Sequence, residues 1–414
     1  MENKLHTPEG LKDIYGIECK KKLALQEIIL NKLHLFGYQD IQTPTFEYLD
    51  VFRKEVGSNP VRELYKFFDK EGDILALRPD ITPSVARAVA TSFEKEQMPI
   101  RLCYVGNTFV NHSSYQGRLK ENTQLGAELV GDNSVEADAE LIAMVVECLR
   151  DVGLKDFQIS IGHVDFIQSL LEGTNLDSVI KGEIRELLSN RNYSSIEEIL
   201  KEKGANPEVV KGFQALPDLI GGYEVLGKAA DVANSKEAKL AIVRLLKIYS
   251  LLVLYGVEKY ITFDMSTTGK YGYYSGIVFR GYTHGTGDAV VRGGRYDELL
   301  GIFGKKTPSI GFAIIVDTLL SALNGQNIHI KTRDTNIIVY SESNQDEAIS
   351  MAMDFRVGGK CIELLKKEPN ELIETYIEYG KRMKVNSILV LLDGGELKII
   401  NPETGEEQVV SVAQ

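Results

Sequence analysis

The residue types that most often carry chemistry form no generic catalytic motif in this chain of 414 residues. It contains no GxxxxGK[ST] phosphate loop, no HExxH zinc motif and no nucleophile elbow. The glycine pairs at Gly285–Gly287 and Gly293–Gly294 lack the strand–GxGxxG–helix context of a dinucleotide site, so we interpret them as turns. The histidines show no spacing typical of metal ligands: His6, His34, His112, His163, His284 and His329. Generic motifs therefore assign no reaction, metal or cofactor.

Charge and composition restrict the class of protein. Lys and Arg number 47 against 59 Asp and Glu, a net charge of −12, which disfavours non-specific binding to nucleic acid. A hydrophobic share of 43% is typical of globular proteins and excludes a disordered chain or a fibre. Apolar runs such as Leu389–Leu392 are far shorter than the roughly 20 residues of a membrane span, and the N-terminus has no signal-like region.

The cysteines lie too far apart for a CxxC metal or redox pair, and we expect them to be reduced: Cys19, Cys103, Cys148 and Cys361. Together with the missing signal, this predicts a cytoplasmic protein without a membrane anchor. The length favours two or three domains.

Polar residues in the first third of the chain lie beside predicted helix and strand ends. Apolar residues from 18 to 36 recur at helical spacing, and Gly37 follows as a C-cap. In LRPDITPSVARA, Thr82 is predicted to be the N-cap of a helix with Pro83 at its first position. RLCYVGNTF and TQLGAELVG are predicted strands of a hairpin with a polar tip, which is typical of a segment facing a ligand.

The later segments predict a helical region, further strands and a separate tail. Residues from about 175 to 255 have a helical pattern, and YITFDMS, YYSGIVFRGYT and AVVRGGRYDELL have the pattern of strands. Residues 301–311 are turn-rich, and FAIIVDTLLSALN is predicted to be a helix. After a polar linker, short apolar runs alternate with helical segments, which predicts a small α/β domain.

Six longer stretches occur in an order that resembles one family. They are PEGLKD, PTFEYLDVF, LRPDITPSVARA, GRLKENTQLGAE, YYSGIVF and GGRYDELL, spread over residues 8–300. This part of the chain resembles the catalytic core of histidyl-tRNA synthetase, a class II synthetase. The resemblance implies an α+β fold: an antiparallel sheet flanked by helices at 1–325, with a helical insertion at about 175–255. Residues 331–414 would form a reduced, α/β version of the family's anticodon-binding domain.

The resemblance also implies that the synthetase's catalytic arginines are missing. Forming an aminoacyl adenylate brings two anions together, so the site needs fixed cations. The three family positions carry Val110, Gly269 and Thr318 here. Lys270 neighbours Gly269, but adjacent strand residues point to opposite faces, so it is a poor substitute. We therefore predict a chain without catalytic residues.

The residues that bind histidine in the family are largely present. The amino group of histidine would be held by Asp80, Thr82 and Gln124, and its imidazole by Glu128 with Tyr273 and Tyr274. The full implied set is Asp80, Thr82, Arg118, Gln124, Glu128, Tyr273 and Tyr274. An ammonium group suits a carboxylate, and imidazole N–H groups suit an acidic acceptor. The alternative is a scaffold in which the tyrosines are ordinary strand aromatics and Glu128 lies on the surface.

The C-terminal tail and the first helix indicate whether the chain binds tRNA and whether it dimerises. Residues 331–414 carry ten Lys or Arg against fifteen Asp or Glu, a net charge of −5, which argues against tRNA binding. In class II synthetases the helix–strand unit that ends here at Pro44 mediates dimerisation, so the resemblance implies a self-dimer.

The lost arginines, together with LRPD in place of the synthetase's LRPE, make the chain similar to the regulatory subunits of ATP phosphoribosyltransferase. That resemblance implies a hetero-octamer with the short catalytic subunit, in which this chain is needed for activity and for feedback inhibition by histidine in histidine biosynthesis. Two alternatives remain open at this point: an active histidyl-tRNA synthetase with displaced cations, and a histidine-binding module serving another partner.

Overall fold

The computed structural model of the chain describes residues 5–52, 61–93, 98–112, 119–268, 273–392 and 396–411. The chain divides into two compact units. The first comprises Met1–Lys12 and Leu25–His329, and the second comprises Asp13–Ala24 and Ile330–Gln414. Residues 13–24 thus belong with the C-terminal unit, where the Lys20 ammonium donates to the Thr335 hydroxyl at 2.8 Å. The sequence pattern had assigned them to the N-terminal domain.

The helices of the described residues supply most of the layers that cover the sheets. Their bounds are Gly16–Leu35 (α1), Thr82–Ser92 (α2), Val135–Asp151 (α3), Val164–Gly173 (α4), Ser178–Ser189 (α5), Tyr193–Glu202 (α6), Pro207–Ala215 (α7), Glu224–Val232 (α8), Lys236–Leu254 (α9), Leu299–Ile302 (α10), Val316–Gly325 (α11), Gln345–Val357 (α12) and Ile373–Met383 (α13). Among these, none is both long enough and apolar enough to cross a membrane.

The strands of the described ranges form three sheets. They are Gln39–Asp40 (β1), Phe46–Tyr48 (β2), Lys66–Phe68 (β3), Ile74–Leu77 (β4), Ile100–Phe109 (β5), Glu121–Val130 (β6), Phe157–His163 (β7), Ile220–Gly221 (β8), Ile261–Asp264 (β9), Ile277–Thr283 (β10), Val291–Arg295 (β11), Ser309–Ile315 (β12), Thr335–Tyr340 (β13), Cys361–Lys366 (β14), Ser387–Leu392 (β15), Glu396–Ile400 (β16) and Glu407–Ser411 (β17).

The large sheet of the first unit has the strand order β1-β5-β6-β12-β11-β10-β7-β9-β8. The six strands from β5 to β7 in that order are antiparallel, and the parallel pairs are β1–β5 and β7–β9. Helices α3 and α9 pack against each other beside this sheet. The predicted class of fold, an antiparallel sheet flanked by helices, is confirmed. A separate small sheet has the order β2-β4-β3.

The second unit is built on a sheet with the order β14-β13-β15-β16-β17, whose first three strands are parallel. Alternate residues of β13 face opposite sides, as strand geometry requires. Ile337 and Val339 pack in a core with Tyr376 of α13, whereas Ile338 packs with Ala348 of α12. The predicted small α/β domain is therefore present.

The prediction of a helix over the whole of FAIIVDTLLSALN was wrong in its first third. Ser309–Ile315 forms β12 at the centre of the large sheet, and helix α11 begins only at Val316. A strand buried on both faces is a continuous apolar run, and periodicity alone does not distinguish it from a helix. Gly293 and Gly294, which the sequence suggested to be a turn, also lie within a strand, β11.

A buried ion cluster ties α3 and α9 to the sheet. Arg295 of β11 is 2% exposed and Asp138 of α3 is fully buried. Two Arg295 nitrogens donate to Asp138 Oδ1, at 3.0 and 2.6 Å, and Arg244 Nε donates to Asp138 Oδ2 at 2.7 Å. Both oxygens of the carboxylate are thus occupied by guanidinium groups, which offsets the cost of burying its charge.

We predict that Asp138→Ala destabilises the first unit by about 3–5 kcal/mol, because it removes two short bonds of the buried Arg295 and leaves it only one carboxylate contact, the longer one to Asp297 at 3.3 Å. Urea unfolding followed by circular dichroism measures this. Glu208, in an exposed pair with Lys211, is the matched control, and Glu208→Ala should leave the unfolding midpoint unchanged. Equal midpoints for Asp138→Ala and the wild type would contradict the assignment.

Candidate functional site

A cleft that is partly open to solvent lies over one face of the large sheet. We call it the cleft throughout, and its lining residues are Asp80, Thr82, Gln124, Tyr273, Tyr274, Arg292, Tyr296, Gly311, Phe312, Ala313 and Ile315. The pairing of the strands determines which residues form the floor of the cleft. Gln124 of β6 pairs with Ile315 of β12, and Ala313 of β12 pairs with Arg292 of β11, so these alternate residues share a face.

The Glu128 carboxylate lies directly behind the cleft. It is fully buried, and three hydroxyl groups donate to it: Thr82 at 2.7 Å and Tyr104 at 3.2 Å to Oε1, and Tyr296 at 2.5 Å to Oε2. Gly311 pairs with Glu128 across β6 and β12, and a Cβ there would collide with Glu128 Oε2. The alternative that Glu128 is a surface residue is therefore wrong.

Burial raises the pKa of Glu128 from its ordinary value near 4.5 to about 8. The hydrogen bonds from Tyr296 and Thr82 oppose this shift because they favour the charged form, while the nearby Asp80 carboxylate reinforces it. Burial therefore favours the protonated form of Glu128 in the folded chain.

Asp80 is placed at the start of α2. Its Oδ2 accepts a hydrogen bond from the Tyr273 hydroxyl at 3.0 Å, and the backbone N–H groups of Ile81 and Thr82 also donate to its side chain. Burial nevertheless raises its pKa. Asp80 thus brings a buried acidic group to the cleft that a cationic ligand would stabilise in its charged form.

The prediction that Thr82 is the N-cap of this helix was wrong. Ile81 occupies the cap without a side-chain bond to the helix, and Thr82 is the first helical residue. The Thr82 hydroxyl instead bonds the buried Glu128, which no local sequence pattern reveals. Pro83 still lies in the first turn, where its missing N–H is tolerated.

Gln124 presents an unsatisfied acceptor to the cleft. The residue is 8% exposed, and its Oε1 atom is buried without a hydrogen-bond partner among the described atoms. A buried amide oxygen left unpaired costs about 1–3 kcal/mol, so it is expected to meet a donor when a ligand is present. An ammonium group, which has three donors and no acceptor, suits this oxygen and Asp80 together.

The tyrosines form one wall. Tyr273 contacts Tyr274 with ring centroids 4.9 Å apart and Tyr296 with centroids 5.9 Å apart. Tyr274 fits closely over β11, where a Cβ on Gly294 would lie 2.7 Å from its ring. Gly294 is thus required by a close approach within a strand, which explains why the interpretation as a turn failed.

The positions implied to have lost their arginines lie outside the lining of the cleft or outside the described residues. Val110 follows β5, where its N–H donates to the Lys120 carbonyl at 2.9 Å. Thr318 lies in the first turn of α11, next to Asp317, whose carboxylate accepts from the Thr123 N–H at 2.7 Å. Gly269 and Arg118 lie outside the residues that the structure describes, as does Lys270.

The structure brings five of the seven implied histidine-binding residues to this one place. Asp80, Thr82, Gln124, Tyr273 and Tyr274 line the cleft, and Glu128 lies behind it. Sequence reasoning missed Tyr104, Tyr296 and Arg292. The alternation of residues along VVRGGRY could have indicated that Arg292 shares a face with Gly294.

A second group of potential ligands lies elsewhere in the first unit. Ligand atoms of His34, Asp40 and Cys103 lie within 4.8 Å of one another, although the histidine spacing predicted no such group. His34 Nε2 and Asp40 Oδ2 are 3.0 Å apart, a hydrogen bond that already accounts for the contact. Burial raises the pKa of the Cys103 thiol to about 12, so it is held in the protonated form, which is a poor metal ligand.

Comparison with known proteins gives a consistent family. A family model for histidyl-tRNA synthetase matches residues 10–319. The chain is 39% identical over 365 residues to an ATP phosphoribosyltransferase regulatory subunit of Thermoanaerobacter pseudethanolicus, covering 88% of this chain and 95% of that protein. A protein of the same name from Acetivibrio thermocellus is 34% identical over 414 residues, covering 100% and 99%.

Solved structures agree with the sequence relatives. A protein from Bacillus halodurans C, described as an ATP phosphoribosyltransferase regulatory subunit/histidyl-tRNA synthetase, superimposes with a TM-score of 0.82 at 30% identity, covering 92% of this chain and 97% of its own. The histidyl-tRNA synthetase of Nostoc sp. PCC 7120 also gives a TM-score of 0.82, at 20% identity over 99% and 97% of the chains, a likeness that concerns the fold alone.

The raised pKa of Glu128 predicts a pH-dependent stability. Between pH 4.5 and 8 the folded chain retains a proton that the unfolded chain releases, so this group's contribution to stability falls as the pH rises through that window. We expect Glu128→Gln to remove this fall. The free energy of unfolding of the wild type should decrease relative to the variant by up to about 1.4 kcal/mol per pH unit.

Urea titrations at pH 5, 6, 7 and 8 measure the difference, and Glu208→Gln on the surface of α7 serves as the control. A constant difference between wild type and Glu128→Gln across these pH values would show that Glu128 has an ordinary pKa.

Proposed function

The chain belongs to the family of ATP phosphoribosyltransferase regulatory subunits, and we propose that it binds histidine in the cleft and thereby inhibits a short catalytic subunit. The two chains would assemble into a hetero-octamer, in which this subunit is needed for activity and for feedback control of histidine biosynthesis. The observation that carries the histidine site is the convergence of Asp80 with the unpaired Gln124 oxygen in one cleft. This pair suits an ammonium group.

The tyrosine wall would receive the imidazole ring. Glu128 does not line the cleft, so we assign it a positioning role: its carboxyl group orients the Tyr296 and Thr82 hydroxyls, both of which border the cleft. Tyr274 and Tyr296 then offer hydroxyl groups to the ring nitrogens, and their aromatic faces give the ring an apolar surface.

The chain would have no adenylation activity of its own. Val110 and Thr318 offer no cation to a transferring phosphate, and the third family position is Gly269. Removal of one preorganised donor typically costs about 2.7–4 kcal/mol of transition-state stabilisation. Inhibition, by contrast, requires only that histidine bind two arrangements of the complex unequally, and a coupling of about 1–3 kcal/mol suffices for a 5- to 150-fold effect.

The remaining features of the proposal concern partners and location. The chain would form a self-dimer and would not bind tRNA, in keeping with a tail of net charge −5 at residues 331–414. All four cysteines are free of disulfides, as expected of a protein that works in the reducing cytoplasm.

Reconstitution tests the proposed function. Mixing the chain with the short catalytic subunit should raise the rate of phosphoribosyl transfer to ATP, and histidine should suppress that rate. Asp80→Asn should raise the histidine concentration for half-inhibition about tenfold or more, because the ammonium group loses a charge-assisted bond of about 1.5–3 kcal/mol. Uninhibited activity in the variant without histidine is the control for folding and assembly. Unchanged inhibition would contradict a histidine site in the cleft.

Pyrophosphate exchange separates this proposal from an active synthetase. The purified chain should show no histidine-dependent exchange of pyrophosphate into ATP above a buffer blank, because a site that has lost several preorganised cations gives little stabilisation to the transition state. An authentic histidyl-tRNA synthetase in the same assay is the positive control. Exchange at a comparable rate would mean that other residues replace the missing arginines.

A further inference from the structure

The cleft contains a positive group as well as an acidic one. Arg292 of β11 is, among the described lining residues, the one that carries a fixed positive charge. We infer that the Arg292 guanidinium binds the carboxylate of the amino acid whose ammonium group lies at Asp80, so that the cleft selects a zwitterion. This inference rests on the proposed function and identifies the contact that replaces the missing arginine at position 269.

Register places Arg292 on the floor of the cleft. It pairs with Ala313 of β12, and the adjacent pair on these strands is Gly294 with Gly311 on the same face. Ala313, the cross-strand partner of Arg292, also lines the cleft, whereas the ring of Tyr274 covers Gly294 and the carboxyl group of Glu128 covers Gly311. Arg292 and Asp80 both line the cleft, so a ligand bound there contacts both side chains.

A second arginine strengthens the positive potential. On β10, Arg280 is the direct cross-strand partner of Arg292, so two like charges share one face of neighbouring strands. Such a pairing is destabilising unless negative charge lies nearby. Asp288 supplies part of that negative charge, since its Oδ1 accepts from Arg292 Nη2 at 2.6 Å. Arg280 Nη2 donates to the Thr268 carbonyl at 3.2 Å. The ion pair with Asp288 neutralises part of the positive charge of these two arginines.

The charges of Arg292 and Asp80 also interact electrostatically. The positive charge of Arg292 favours the charged form of Asp80 and so opposes the effect of burial on the pKa of that residue. Because arginine presents five donors in a planar fork, it can hold a ligand carboxylate on one edge while another donor stays on Asp288. Asp288 is half exposed and Arg292 is mostly buried, so the ion pair holds the guanidinium at the floor of the cleft.

The test compares two ligands that differ only at the carboxylate. Histidine and histidinol, in which that group is a hydroxymethyl, are titrated calorimetrically into the wild type, Arg292→Gln, Arg292→Lys and Asp80→Asn. A charge-assisted contact predicts that the wild type prefers histidine over histidinol by about 10- to 100-fold. Arg292→Gln should reduce this preference to about twofold or less, and Arg292→Lys should restore part of it.

Arg185→Gln is the matched control, because Arg185 also bonds a side chain, that of Gln168, but lies outside the cleft. It should retain the full preference for histidine. Thermal unfolding of each variant checks that the fold is intact, and the ratio of the two affinities does not respond to a general loss of stability.

The outcomes separate the two proposals. Asp80→Asn should weaken both ligands, since both carry the ammonium group. If it does so while Arg292→Gln keeps the wild-type preference, the histidine site stands and the role of Arg292 is refuted. If Asp80→Asn leaves histidine binding unchanged, or if the wild type binds no histidine, both the site and the inference are overturned.

Discussion

The burial of one carboxyl group determines much of the site. Glu128 is fully buried on the large sheet, where a carboxyl group without hydrogen-bond partners is costly. The hydroxyls of Thr82, Tyr104 and Tyr296 meet that requirement, and they come from α2, β5 and the residue after β11. Helix α2 is thereby fixed over the sheet, which sets the position of Asp80 at its start. The absence of a side chain at Gly311 is a consequence of the same group.

The sequence predicted those parts of the fold that depend on local patterns. Gly37 has a positive φ of 81° after α1, as a C-cap should, and the hairpin of β5 and β6 carries Gln124 and Glu128 as expected. Motif resemblance also identified Asp80 and the tyrosine pair, which meet in one cleft although 193 positions separate Tyr273 from Asp80. Ordered motifs contain that long-range information because they come from a family with a common fold.

Where prediction failed, tertiary contacts had overridden local preference. Thr82 has the residue type of a cap, but its hydroxyl bonds a carboxyl group 46 positions away. Phe312–Ile315 has the apolar run of a buried helix, yet it pairs on both sides within the sheet. Arg292 directly precedes the synthetase-like stretch GGRYDELL, and alternation along the strand places it on the face of Gly294 without showing that this face lines the cleft. Strand register, which the sequence does not state, decides the last two of these cases.

A site that binds for regulation needs fewer groups than a site that catalyses. Catalysis requires cations placed for charge that develops only in the transition state, whereas regulation requires a ligand that distinguishes two arrangements of the protein. The groups proposed to hold histidine belong to different elements: Asp80 to α2, Gln124 to β6 and Arg292 to β11. A small zwitterion that bridges them is bound tightly only when the elements keep one spacing. Under the proposed function, an arrangement of the complex that changes this spacing would lose affinity for the ligand, and this differential affinity would shift the equilibrium between active and inhibited forms.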